Sequence, residues 1–259
     1  MRTHTIRDDL KRAAGAALAV LLLVSGPVVG RRLPDGHDHI PGIKNSEGPR
    51  RLNRRKLDEV ARHLQRLTGL RLSFDSQGRL TLGQTHHPHS GSETARRILL
   101  QTLGSVSITL EDRSLSADIA FAALKPDCVY LLPSGKKIDS YLLLLDFQDF
   151  QHLSGDREAL EAFNLGFVLM HELVHALEKR PDPPQLDGLR ESGDCEEVVN
   201  RIRQELHLPV RAHYATEVFL LGPYPIPFER LRFVRSRTSD GKIEHDTYVI
   251  QWPSTFVSR

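Results

Sequence analysis

Apolar residues recur every three or four positions in several parts of the chain, which predicts amphipathic helices. One pattern covers residues 52–67 and another covers 93–103. The longest runs from 157 to 179, ends in Lys179 and Arg180, and is stopped by prolines that follow at once. Basic residues suit the negative end of a helix and proline cannot continue one, so 157–179 is predicted to be a single helix.

Between and after these helices the pattern changes to that of short strands. Residues 70–82 alternate apolar and polar positions around Asp75-Ser76-Gln77-Gly78, which predicts a hairpin. Further strands are predicted at 106–110, 129–132, 141–145, 216–221, 230–234 and 247–252. Helices and strands that do not alternate regularly indicate an α+β fold, with the longest helix packed on a small mixed or antiparallel sheet.

The first thirty residues have the layout of an export segment. Basic residues precede the apolar run 13–24, and small residues follow near Gly30. This order predicts a signal peptide over 1–30, or a membrane anchor if the segment is not cleaved. The polar stretch 31–50 is predicted to be a flexible linker, and 51–259 a catalytic domain.

Composition restricts the partners and the kind of metal site. The formal net charge of +2 is too small to indicate a nucleic-acid partner, and the basic run at 50–56 is interpreted as the solvated face of the first helix. Two cysteines, Cys128 and Cys195, are too few for a zinc-finger framework. In an exported protein they are candidates for a disulfide, although sequence alone does not give their separation.

The longest helix carries His171-Glu172-Leu173-Val174-His175, an H-E-x-x-H motif. Residues four apart lie on one face of a helix, so both imidazoles can bind the same Zn²⁺. Glu172 projects about 100° further around the helix. This position suits a general base acting on a water at the metal, and not a ligand.

A catalytic zinc site needs a third protein ligand. A further helix is predicted from Asp194, with Asp194 as its N-cap and Glu197 closing a capping box. Glu196 lies at the border of the buried face of this helix and is the predicted third ligand. Glu191, in the preceding loop, is the alternative.

An H-E-x-x-H helix followed some twenty residues later by a glutamate on a second helix resembles the gluzincin zinc peptidases. Segments 145–150, 200–203 and 208–211 are also similar to bacterial effector-type zinc peptidases. The resemblance covers 140–215 and implies a zincin-like fold. It also implies His171, His175 and Glu196 as zinc ligands, and Glu172 as the base.

The predicted activity is zinc-dependent hydrolysis of a peptide bond in a protein or peptide substrate. Arg211, His213 and Tyr214 follow the second helix and are candidates for stabilising the transition state, with Tyr214 preferred. Asp146 and Asp149 are either turn residues or partners of a zinc-binding histidine. The alternative function is a zinc-bearing binding module that has this fold and no turnover.

Overall fold

The computed structural model of the protein describes residues 30–32, 41–83, 90–114, 116, 118–132, 134–183, 193–221 and 226–254. The export segment predicted before Gly30 and the alternative ligand Glu191 lie outside these residues. Helices and sheets both contribute to the described part, so the α+β class is confirmed.

The helices are α1 (Arg54–Thr68), α2 (Glu93–Ser105), α3 (Arg157–Ala162), α4 (Leu165–Glu178) and α5 (Asp194–Glu205), with a 3₁₀ turn at Asp149–His152. The strands are β1 (Gly30–Arg32), β2 (Gly42–Asn45), β3 (Leu72–Phe74), β4 (Leu80–Leu82), β5 (Ser107–Asp112), β6 (Ala122–Leu131), β7 (Lys137–Leu145), β8 (Ser154–Gly155), β9 (Val210–Arg211), β10 (Glu217–Leu221), β11 (Ile226–Ser239) and β12 (Lys242–Pro253).

The larger strands form two sheets. The first has the order β1-β6-β7-β5-β2 and is mixed, because β6 and β7 are antiparallel while the other neighbours are parallel. The second is antiparallel, with the order β10-β11-β12-β8 and β9 paired to β11. Its long hairpin turns at Asp240-Gly241, where both residues have positive φ, as a two-residue turn between twisted strands requires.

Helices α1, α2, α4 and α5 pack with the first sheet around the main hydrophobic core. The apolar face of α4 supplies Leu169, Met170, Leu173 and Val174, which are all buried. A second core lies between α3 and the antiparallel sheet, where Phe163, Phe233 and Trp252 pack together. Phe150 and Leu208 pack against both cores and join them.

Three local predictions were wrong: a single helix over 157–179, Asp194 as an N-cap, and a flexible linker over 31–50. The helix predicted over 157–179 is two helices, because Phe163 leaves the helical conformation and Asn164 caps α4 by accepting the Gly166 N–H at 2.9 Å. Asp194 is not an N-cap; Gly193 holds that position and Asp194 pairs with Arg180.

The linker predicted over 31–50 contains strand β2, which pairs with β5 and buries Ile43. A four-residue strand with one large apolar side chain leaves too little periodicity to be recognised. No helix within the described residues is long and apolar enough to cross a membrane.

Candidate metal centre

Helix α4 brings the two motif histidines together. His171 and His175 are one turn apart, their ring centroids are 4.6 Å apart, and their Nε2 atoms are 3.0 Å apart. Leu173 and Val174 between them are buried in the main core, so packing fixes the orientation of this helix. The predicted convergence of the two imidazoles is therefore present in the fold.

Asp182 completes the cluster and was missed in the sequence. Helix α4 ends at Glu178, and the left-handed conformation of the next residue, Lys179 (φ 55°), turns the chain back towards the helix. The Oδ1 atom of Asp182 lies 3.1 Å from His171 Nε2 and 3.0 Å from His175 Nε2. An acid placed between two prolines shortly after the motif was the available signal, but prolines so placed also serve simply to end a helix.

The outer nitrogen of each ring lies close to an oxygen that accepts hydrogen bonds. His175 Nδ1 lies 2.6 Å from the carbonyl oxygen of Arg180, and His171 Nδ1 lies 3.3 Å from Oε2 of Glu196. Each Nδ1 therefore carries the proton in the neutral ring, which leaves the Nε2 lone pair bare. In that form, two lone pairs and a carboxylate oxygen point at one place, where one metal ion could be held.

The spacing of these three atoms fits a single metal ion. His171, His175 and Asp182 form the group among the described residues whose donor atoms lie close enough to hold one metal ion. Donors about 2.0–2.1 Å from a tetrahedral zinc ion are about 3.3 Å apart, and these donors need to separate by only a few tenths of an ångström from 3.0–3.1 Å. Three protein donors also leave one position for a substrate or a water.

The electrostatics of the cluster favour positive charge at the imidazoles. Burial works to lower the pKa of both histidines, but the carboxylate of Asp182 outweighs it and raises the pKa of His171 to about 9 and that of His175 to about 11. Glu196 contributes to the shift at His171. Burial would raise the pKa of Asp182, yet its two histidine partners hold that pKa well below the usual range.

Glu172 lies beside the cluster and outside it, as the motif predicted. Burial raises the pKa of its carboxyl group, while the charges of His171 and His175 oppose the shift. The carboxylate accepts a hydrogen bond from the backbone N–H of Leu124, at the start of β6. A strand of the first sheet therefore holds this side chain next to the two histidines.

The structure does not bring Glu196 into the ligand cluster. Its side chain lies behind His171, where one oxygen contacts Nδ1 and both oxygens meet the guanidinium groups of Arg203 and Arg211. Burial would raise the pKa of Glu196, but the two arginines hold it well below its usual range. Glu196 lies on the buried side of α5, as its position in the sequence indicates, but two arginines occupy its carboxylate.

Tyr214 reaches the site from the segment after β9. Its ring stacks on that of His171, with centroids 5.9 Å apart and planes 24° apart. Burial, and then the Asp182 carboxylate to which its hydroxyl is hydrogen bonded, raise the pKa of Tyr214 well above its ordinary value. Arg211 lies under the same ring, and His213 contributes its backbone carbonyl to Arg211.

Asp146 and Asp149 belong to a turn and not to the metal cluster. Asp146 accepts the backbone N–H groups of Gln148 and Asp149, and Asp149 accepts that of Phe121. Among the cysteines, Cys195 is buried with its sulfur 3.4 Å from His175 Nδ1, and Cys128 is partly exposed. Both thiols are free, so the candidate disulfide is not formed.

Comparison with family models, with curated proteins and with solved structures found no match to this chain. The likeness to gluzincin and effector-type peptidases therefore depends on the motifs in the sequence.

Proposed function

We propose that the protein is a zinc-dependent peptidase of zincin-like design, in which Glu172 is the general base. The observation that carries the proposal is the convergence of three lone-pair donors beside an adjacent, partly buried carboxylate. His171 and His175 Nε2 lie 3.0–3.1 Å from one another and from Asp182 Oδ1.

In this proposal His171, His175 and Asp182 hold the zinc ion. Glu196 contacts the outer nitrogen, Nδ1, of His171 and orients its ring. Bound zinc would supply a Lewis acid that polarises a carbonyl group and makes a water more acidic. A carboxylate on the outer nitrogen of a ligating histidine fixes the ring and its tautomer. Glu196 has the position and the charge for that task.

In this proposal, Glu172 transfers the protons and Tyr214 stabilises the developing negative charge. Glu172 takes a proton from water as the water oxygen bonds to the carbonyl carbon of the substrate. The hydroxyl of Tyr214 donates to the oxygen on which negative charge develops. Glu172 then gives its proton to the leaving amine as the C–N bond breaks, so one water is consumed and the side chains return to their starting states.

The surroundings of Glu172 suit an extended polypeptide. Leu124 donates its backbone N–H to Glu172, so the first half of β6 runs beside the base. In the described part of the chain, β1 pairs only with Val129–Leu131 of this strand. A substrate strand lying along the first half of β6 would place a peptide bond near Glu172. With the predicted export segment, this indicates action on proteins outside the cytoplasm.

The proposal is tested by metal analysis and proteolysis of the purified protein. We expect about one zinc ion per chain, as a three-donor site requires, and hydrolysis of a casein-type substrate that stops with a chelator and returns with zinc. Stoichiometric zinc without hydrolysis of any peptide would favour the alternative, a binding module. Absence of zinc would refute both.

A further inference from the structure

Behind the ligand cluster lies a buried group of three charges. Glu196, Arg203 and Arg211 are 2%, 1% and 6% exposed. The Arg203 guanidinium contacts one oxygen of Glu196, and Arg211 Nη1 lies 3.3 Å from the other. Burying a charge costs several kcal/mol per ion, and proteins in which apolar residues replace a buried ion pair are often as stable. A contribution to folding stability therefore does not by itself account for this group of charges.

The two arginines are held in different ways. Arg203 donates from Nε to the carbonyl of Ala162 at 2.8 Å and lies over the rings of Phe167 and Phe233 at 4.9 and 5.4 Å. These contacts belong to the packed interior. Arg203 is therefore a fixed support for the Glu196 carboxylate.

Arg211 instead faces the segment that carries Tyr214. Its Nε donates to the carbonyl of His213 at 3.0 Å, its Nη2 donates to the carbonyl of Tyr214, and its guanidinium lies 4.9 Å from the Tyr214 ring centre. Asn200 on α5 holds the Arg211 backbone by exchanging two hydrogen bonds, at 2.8 and 3.0 Å. One planar guanidinium thus joins Glu196 to two consecutive carbonyls of this segment.

We propose that Arg211 is a positioning residue that couples metal binding at His171 to the ordering of residues 212–216. The inference rests on the proposed metal site and not on peptide hydrolysis. A metal at Nε2 of His171 fixes the ring that contacts Glu196 on one side and stacks on Tyr214 on the other. Glu196 and the segment that bears Tyr214 then meet at the guanidinium of Arg211, so each becomes more ordered when the other is in place.

Such coupling is reciprocal, because a segment ordered by the metal must favour the metal by the same factor. Loss of a group behind a metal ligand weakens metal affinity by about 10–100-fold. We therefore expect Arg211→Met to weaken zinc affinity by about 10–100-fold, and zinc to slow amide exchange at 212–216 by a similar factor in the wild type only.

The experiment measures zinc affinity by competition with a chelating dye, and hydrogen exchange at 212–216 with and without zinc. Arg157→Met is the matched control, since Arg157 is exposed and pairs with Glu161 on α3; it should match the wild type in both measurements. If Arg211→Met does not fold, Arg211→Lys keeps a positive charge for Glu196 but cannot reach both carbonyls. It should also lose the zinc-dependent protection.

The outcomes separate the two proposals. Zinc binding by the wild type, with protection at 212–216 that Arg211 variants lose, supports the coupling. Zinc binding with unchanged exchange at 212–216, or with equal affinity and protection in the Arg211 variants, overturns the coupling and leaves the metal site standing. Failure of the wild type to bind zinc overturns both.

Discussion

Zinc binding should release about two protons from this protein at neutral pH. Burial acts to lower the pKa of both histidines, but the Asp182 carboxylate outweighs this effect. The pKa of His171 is raised to about 9 and that of His175 to about 11. Both shifts therefore favour the protonated rings at neutral pH when no metal is bound. Asp182, whose pKa is held well below its usual range, is ionised and has no proton to lose.

The number of protons released, and the pH dependence of zinc affinity, follow from the charges at the site. Zinc needs the Nε2 lone pairs of both rings, so two protons leave as two positive charges enter, and the charge of the site is conserved. Each proton displaced makes apparent affinity rise about tenfold per pH unit while the ring's pKa lies above the pH, so two give about 100-fold per unit between about pH 6 and 8. Histidines with the ordinary pKa of about 6.5 would show about half a proton of release at pH 7 and almost none at about pH 8.

Titration calorimetry in buffers of different ionisation enthalpy counts these protons directly. Asp182→Asn removes the carboxylate that raises both histidine pKa values, and should reduce the release as well as the affinity. Asp139→Asn is the matched control, because Asp139 pairs with Lys179 outside the cluster. Release of one proton or fewer by the wild type, with a correspondingly shallow pH slope, would refute this account of the site.

The other predictions concern the ligand set, the transition state and the core. Asp182→Ala should abolish stoichiometric zinc binding, whereas Glu196→Gln should keep the metal with about 10–100-fold weaker affinity; the reverse order, measured by metal analysis and titration, would make Glu196 the ligand. Tyr214→Phe should keep zinc and lower kcat by about 10²–10³-fold with little change in KM, and an unchanged kcat in steady-state assays would remove Tyr214 from catalysis. Leu173→Ala, at a side chain 1% exposed, should lower the free energy of unfolding in urea by about 2–5 kcal/mol, while Leu100→Ala, at 46%, should change it by less than about 0.5 kcal/mol. Equal effects of the two leucine substitutions would contradict the assigned core.

The parts of the fold that follow from local pattern were predictable. Helix α1 has an uninterrupted apolar stripe, a capping Asn53 and a terminal Gly69, and it lies where the periodicity indicates. The break between α3 and α4 was not predictable from periodicity, because apolar spacing continues across Phe163. It was the side chain of Asn164, an acceptor suited to a helix start, that marked the break.

The candidate site also contains residues that the sequence pattern predicts and residues that it does not. His171, Glu172 and His175 follow from the geometry of a single helical turn, which sequence spacing determines. Asp182 depends on how the chain turns after Lys179, and the position of Glu196 depends on Arg203, two turns further along α5, and on Arg211 in β9. The contacts of Asp182 and Arg211 join separate elements and leave no periodic signal in one sequence, so spacing alone favours Glu196 as the ligand.

The substitution Glu172→Gln tests the central claim most directly, because it removes a proton acceptor while keeping the size of the side chain. Purified wild-type and variant proteins are compared for zinc content and for hydrolysis of a casein-type substrate. We expect both to carry about one zinc ion per chain, with hydrolysis by the wild type alone. Equal hydrolysis by the variant, or a wild type that binds no zinc, would contradict the assignment of this helix as the catalytic centre of a zinc peptidase.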